Sequence, residues 1–374
     1  MQTREQTLRH STTNRAQRSK YRGPVKATIQ KDMTDFPRNP DCEHIPVMLK
    51  EVIELLRCKP GETYVDATLG LGGHARVIAE KIQPGGLLIG IDRDKESLDK
   101  ANSLLKPFSD SIRLVHDNYK NLPLILNNLA VRPVHGILVD LGVSSYQLLS
   151  PERGFSIHSD VLLDMRMDRT QKGTAADIVN NTPESELADL IYCYGEEKLS
   201  RRIAAAIVRA RSKALITRCA QLTEIISRAI KGRGHQAIHP ATRTFQALRV
   251  AVNEELEGLE EFLVGATEFL KPGGRIAVIA FHSLEDRIVK KTFRKLAGQC
   301  VCEAPPELCR CPRQTVGRLI HSRPITPNRE ELEHNPRSRS ARLRVLEKIE
   351  NVAPSDRAEN SSISLSDQDE SNES

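Results

Sequence analysis

Apolar residues along this chain follow two rhythms. Short, mostly apolar runs alternate with stretches in which apolar residues recur every third or fourth position. The runs are TYVDAT (63–68), LLIGID (87–92), IRLVHD (112–117) and HGILVDLG (135–142). Runs of this kind suit strands buried on both faces of a parallel sheet. Between them lie helical patterns at about 73–82, in DKESLDKANSLL and in NLPLILNNLA. Strand–helix alternation predicts a doubly wound α/β sheet. The alternation stops after Gly142, and from about 146 to 240 no strand pattern is visible. TPESELADLIYCYG offers Thr182 as an N-cap, Pro183 in the first turn and Gly195 as a stop. KLSRRIAAAIVRARSK sets Leu199, Ile203 and Ile207 on one face among several arginines, and ITRCAQLTEIISRAI follows from Thr217. A helical insertion with a basic face is expected there. The α/β rhythm then resumes. HPATRTFQALRVAVNEELEGLEEFL carries Phe245, Leu248, Val252, Leu256 and Leu259 on one helical stripe. GGRIAVIAF (273–281) reads as a fifth strand and LEDRIVKKTFRKL as another helix, while GRLIHSRPI and ARLRVLEKI would form a closing antiparallel pair.

Charge refines this division. The net charge is +6, but residues 1–40 carry nine Lys/Arg against three acids, and residues 351–374 carry six acids against one Arg. Both ends are polar enough to be disordered, and a basic arm suits a polyanion such as RNA. The expected organisation is a basic arm (1–40), a first part of the sheet domain (41–145), the helical insertion (146–240), a second part (241–350) and an acidic tail (351–374). No apolar run reaches the length of a membrane span, and the N-terminus has no secretory apolar core. Eight cysteines without a secretion signal point to a reducing compartment. Cys42, Cys58, Cys193 and Cys219 are scattered and read as packing residues. Cys300, Cys302, Cys309 and Cys311 fall within CVCEAPPELCRCP. They would suit one structural zinc, reduced thiols or a redox-labile pair.

The candidate chemistry begins in VDATLGLGGHA (65–75), where a strand ends in Asp66 and Gly70, Gly72 and Gly73 crowd before a helix. A strand, a glycine turn and a helix cradle a nucleotide-like cofactor. Asp92, 22 residues beyond Gly70 at the end of the second strand, suits a ribose diol. A nicotinamide dinucleotide needs its glycines directly after the strand, so that a helix N-terminus meets the pyrophosphate. Here three residues separate Asp66 from Gly70, and an acid sits poorly beside phosphate. S-adenosylmethionine carries an ammonium and a sulfonium instead. Asp66, Asp92, Asp117 and Asp140 all fall at C-terminal strand ends, where open α/β sheets bind ligands. The acids favour the cationic cofactor, although some of them would serve equally as helix caps.

HIPVMLKEVIELL, VDATLGLGGHA, GIDRD, GILVDLGVSSYQLLSPERGFS, LDMRMD, HPATRTFQALRVAVNEEL and FHSLEDRIVK occur in this order over about 42–348. Together they closely resemble the ribosomal RNA cytosine-N4 methyltransferase family, known as RsmH or MraW. The resemblance implies a Rossmann-like class I S-adenosylmethionine methyltransferase sheet with an all-helical domain inserted after the fourth strand. It also implies a cytoplasmic enzyme that methylates N4 of one P-site cytidine of 16S rRNA in the small ribosomal subunit. Carried over by residue, the cofactor contacts would be Gly72, Gly73 and His74 in the loop, Asp92 at the ribose and Tyr119 beside the adenine. Asp140 and Gln147 would line the methionine end.

The amine of cytosine is a poor nucleophile, because its lone pair is delocalised into the ring. A group accepting a hydrogen bond from it would turn the lone pair toward the methyl. DNA amino-methyltransferases use an Asp/Asn-Pro-Pro-aromatic motif after the fourth strand. This chain has Asp140-Leu-Gly-Val-Ser-Ser145 there, so that arrangement does not carry over. The candidate acceptors are Asp140, Ser144 and Ser145, then His282 and Ser283, which would otherwise cap the next helix. Arg166, Arg201 and Arg243 are candidate phosphate contacts. Two other readings remain at this point: an oxidoreductase on the same sheet, and a non-catalytic RNA-binding assembly factor.

Overall fold

The computed structural model describes residues 45–230, 239–302, 304–305, 308–310 and 314–350. The expected arm and tail, with Cys42 and Cys311, lie outside the described residues. The strands are β1 (Thr63–Asp66), β2 (Leu87–Asp92), β3 (Ile112–His116), β4 (Val134–Asp140), β5 (Leu270–Ala280), β6 (Gly317–Leu319) and β7 (Arg342–Lys348). The helices are α1 (Leu49–Leu56), α2 (Gly73–Lys81), α3 (Lys95–Leu105), α4 (Leu122–Asn128), α5 (Ser145–Leu149), α6 (Ala175–Asn181), α7 (Glu184–Gly195), α8 (Ser200–Arg211), α9 (Cys219–Ala229), α10 (Thr242–Asn253), α11 (Leu259–Phe269), α12 (Ser283–Leu296) and α13 (Arg329–His334).

The seven strands form one sheet in the order β3-β2-β1-β4-β5-β7-β6. β1 to β5 pair in parallel, and β7 joins antiparallel between β5 and β6. The apolar runs are continuous because both faces are covered. Val65, Ile89, Ile91, Ile137 and Val139 point into a core closed by α4, α11 and α12. Tyr64, Leu88, Leu138, Ala277 and Ile279 point into the opposite core, closed by α1, α2 and α3. β7 is locked in register by charge. Arg275 and Glu347 are cross-strand partners, both buried, with Arg275 Nε and Nη2 at 2.9 and 2.8 Å from Glu347 Oε2. Arg275 also donates to the Leu55 carbonyl at 2.6 Å.

A third core, built from residues between Phe155 and Leu248, holds α6 to α10 together. The stripe from Phe245 to Leu259 is not one helix. α10 stops at Asn253, Glu254 takes a left-handed φ of 50°, and α11 begins after Gly258 at φ 66°. The apolar period runs on through the break, so the pattern did not register it. Thr182 closes α6, and α7 starts just after Pro183. Cys219 is buried and Cys58 partly so, whereas Cys193 is exposed and does not serve packing.

Candidate active site at the strand ends

The loops after β1, β2 and β4 meet the start of α12 and the end of α10 around a cavity of about 330 Å³. Its position follows from the strand order, since β1 and β4 are neighbours whose chains turn to opposite faces of the sheet. Gly70, Gly73, His74, Asp92, Tyr119, Asp140, Ser144 and Gln147 all line it. Gly72 does not. Its φ of 81° makes the turn, and an added Cβ would lie 3.3 Å from Leu105. A Cβ on Gly73 would come 2.6 Å from Pro46 Cγ, so that glycine is required for the packing of the chain before α1.

Each acid has a different environment. Asp92 Oδ2 accepts from the Gly70 N–H at 2.6 Å and Oδ1 from the Asp94 N–H at 2.8 Å, which ties the glycine turn to β2. Burial nevertheless raises its pKa to about 6. Asp66, buried behind it, is raised to about 7 by burial, with Asp92 adding repulsion. Asp140 is raised well above the usual carboxylate range by burial, then by Asp66 and Glu285. Its backbone N–H donates to Thr68 Oγ1 at 2.6 Å, while its Oδ1 is buried without a hydrogen-bond partner. Asp117 lies outside the cavity and accepts from the Asn118 N–H and Asn121 Nδ2, both at 2.7 Å, as a local cap.

His74 is buried and its Nε2 lies 3.0 Å from the Val47 carbonyl oxygen. A carbonyl only accepts, so the proton sits on Nε2 and Nδ1 faces Asp140 Oδ2 at 3.8 Å. Ser144 caps α5: its Oγ accepts from the Gln147 N–H, and Gln147 Oε1 accepts from the Ser144 N–H in return. Gln147 Nε2 donates to Asp94 Oδ2 at 2.8 Å. Ser145 begins that helix. Tyr119 stands edge-on to Phe262, with ring centroids 4.7 Å apart, and burial raises its phenol pKa. His282 and Ser283 do not line the cavity. His282 is the N-cap of α12, 3.2 Å from Glu285, and Ser283 donates to Glu196.

Residues not singled out in the sequence complete the wall. Arg249 donates in bidentate fashion to Glu255, both bonds at 2.9 Å, and Glu285 lies beside them. Arg337, from the turn before β7, lines the same cavity. A second layer ties the sheet to the LDMRMD segment. Arg153, 1% exposed, lies 3.0 Å from Asp94 Oδ2 and donates to the Met167 carbonyl at 2.8 Å. Asn253 accepts from the Met167 N–H and donates to the Met165 carbonyl, both at 2.7 Å. Arg166 braces that segment by pairing with Asp164 at 2.7 Å, Arg243 lies 3.6 Å from Glu197, and Arg201 is exposed on α8.

The donor set fits a cationic, diol-bearing ligand. An orphaned buried carboxylate oxygen and a ring of repelling acids are relieved by positive charge and worsened by phosphate. Sheet order, antiparallel β7, glycine turn and strand-end acids define a Rossmann-like class I S-adenosylmethionine-dependent methyltransferase. The chain belongs to the MraW methylase family, whose model matches residues 41–349. Three relatives carry the name ribosomal RNA small subunit methyltransferase H. The one from Pelobacter propionicus is 51% identical over 82% of this chain and 99% of its own length. That from Halothermothrix orenii is 50% identical over 83% and 99%, and that from Dehalococcoides mccartyi 52% over 82% and 86%.

Proposed function

We propose that this chain methylates the exocyclic N4 of a single P-site cytidine in 16S rRNA of the small ribosomal subunit, using S-adenosylmethionine. The small-subunit rRNA substrate follows from the relatives' name, and N4 of a P-site cytidine from the motif set quoted above. The observation that carries the chemistry is the buried, unpartnered Oδ1 of Asp140 in the strand-end cavity.

When bound, S-adenosylmethionine supplies a methyl group on a sulfonium, ready for in-line transfer. The chain's residues provide position and a dry site. In this reading Gly73 and His74 lie along the cofactor while Gly72 makes the turn behind them, Asp92 accepts from the ribose hydroxyls and Tyr119 packs beside the adenine. Gln147, held by Asp94, fixes the loop at the methionine end. Asp140 Oδ1 accepts one N–H of the cytosine amine, which turns the lone pair toward the methyl. Transfer would make the N4–C bond at the expense of the S–C bond, and Asp140 or water would take the proton that the amine gives up. Ser144, already a cap, is the remaining cavity-lining acceptor among the serines; Ser145 is a candidate from its place in the sequence alone. The helical region at 146–240 would recognise the RNA, and the target base must leave its stack to enter.

Nucleoside mass spectrometry of 16S rRNA from cells lacking the gene tests this reading. N4-methylcytidine should disappear at one P-site position, return with the wild-type gene and not with Asp140→Ala. An unchanged cytidine would overturn the substrate assignment. Full restoration by Asp140→Ala would remove that residue from the chemistry.

A further inference from the structure

After α12 the chain leaves the sheet at Ala297 and returns at Thr315. An isolated antiparallel bridge joins these two residues, and the Val316 N–H donates to the Leu296 carbonyl at 2.7 Å. The excursion between them, GQCVCEAPPELCRCPRQ, is unusually long for a connection inside a compact domain. Its large apolar residues are Val301 and Leu308, and Leu308 is 70% exposed. A segment so poor in apolar side chains cannot offset its ordering entropy by burying a core of its own.

Within it, three thiols converge. The Sγ of Cys300 lies 3.1 Å from that of Cys302 and 3.3 Å from that of Cys309, and Cys302 and Cys309 are 3.5 Å apart. None of the three is in a disulfide, and Cys300 and Cys302 are exposed to solvent. Exposed thiols gain little by packing on one another. Three sulfurs facing one point are three corners of a tetrahedron. With zinc–sulfur bonds of about 2.3 Å the corners would stand roughly 3.8 Å apart, a few tenths of an ångström of outward movement.

We propose that Cys300, Cys302 and Cys309 bind one zinc ion as thiolates and that this ion closes the loop between α12 and β6. Soft thiolate ligands in a tetrahedral arrangement select zinc over the hard divalent cations. The fourth ligand would be water or a further thiolate; Cys311, the nearest in sequence, lies outside the described residues. The role is structural, because none of the three thiols lines the strand-end cavity. The ion replaces the missing apolar core, and its binding free energy becomes folding free energy of the loop.

Elemental mass spectrometry on the untagged full-length protein should find about one zinc per chain. Cys302→Ser and Cys309→Ser should each lower it at least fivefold, while Cys193→Ser, at an exposed thiol on α7, should leave it unchanged. Cobalt(II) exchanged into the wild type should give sulfur-to-cobalt charge transfer and intense tetrahedral d–d bands, a readout independent of how the variants fold. Removing the metal should speed tryptic cleavage after exposed Arg310 at least tenfold and leave S-adenosylmethionine affinity unchanged within about twofold. Substoichiometric zinc without thiolate–cobalt absorption, or loop peptides lighter by two hydrogens through a disulfide, would overturn the proposal.

Discussion

Three carboxylates share one small volume at the strand ends, and burial sets their protonation. Burial pushes Asp92 up to about 6 and Asp66 up to about 7, and holds Asp140 well above the usual carboxylate value of 3.8. A raised acid holds its proton longer in the folded than in the unfolded state. Its contribution to stability is therefore full below pH 3.8 and is lost as pH rises through the folded-state value. A cation bound among these groups reverses the balance, because it stabilises the ionised forms. S-adenosylmethionine should accordingly bind more tightly at pH 8 than at pH 6, by up to about tenfold per pH unit for each proton it displaces. Calorimetry in buffers of different ionisation enthalpy would count those protons. S-adenosylhomocysteine, which lacks the sulfonium charge, should show a weaker slope. Equal slopes for the two ligands would mean that the acids do not sense the sulfonium. These acids were legible in the sequence because strand-end position alone marks them. That Asp117 is a cap while Asp140 is left with an unpaired oxygen was not, since the difference depends on Asn118 and Asn121 standing beside one and not the other.

At the scale of elements, the end of α10 organises the cleft. Its last residue, Asn253, accepts from the Met167 N–H and donates to the Met165 and Arg249 carbonyls, while its own carbonyl accepts from Arg93 at 2.7 Å. Met165 has a left-handed φ of 64°, a conformation that such a side chain adopts only when its surroundings impose it. Asn253→Ala would leave a buried N–H and a buried carbonyl without partners, at about 1–3 kcal/mol each. Urea unfolding should show a loss of about 2–6 kcal/mol, the two groups together. Asn253→Asp should recover part of it, because it keeps the acceptor for Met167. A loss under about 0.5 kcal/mol, the range of surface substitutions, would show that the segment is held by other contacts. The strands, by contrast, were readable residue by residue, because burial on both faces leaves an unbroken apolar run. The break at Glu254 was hidden because Leu256 and Leu259 keep the helical period across it, and that break is what carries Glu254 and Glu255 into the cavity wall.

Across the whole molecule, the cavity gathers chain from residue 47 to residue 340. The antiparallel return of β7 is responsible for the last part. It brings the turn before it, Pro336–Ser340, to the strand ends, a placement that no local pattern in PRSRSARLR announces. Arg337 stands there exposed on the cavity wall, and no ion pair holds it among the described residues. The other cations of the wall are engaged: Arg249 with Glu255, Lys120 with the Glu254 carbonyl and Arg93 with the Asn253 carbonyl. A free guanidinium at the mouth of an acid-lined cleft does nothing for a cationic cofactor but suits a phosphate of the RNA whose base enters. Phosphate contacts release condensed counterions, so affinity for RNA falls steeply with salt. Arg337→Ala should therefore raise KM for the small-subunit RNA severalfold and reduce the salt slope of binding by about one ion. The dissociation constant for S-adenosylmethionine should stay within about twofold, and kcat at saturating RNA should be nearly unchanged, the signature of lost uniform binding. An equal fall in kcat with KM intact would place Arg337 in the reacting geometry instead, and a loss of cofactor affinity would mean that it serves the fold of the turn.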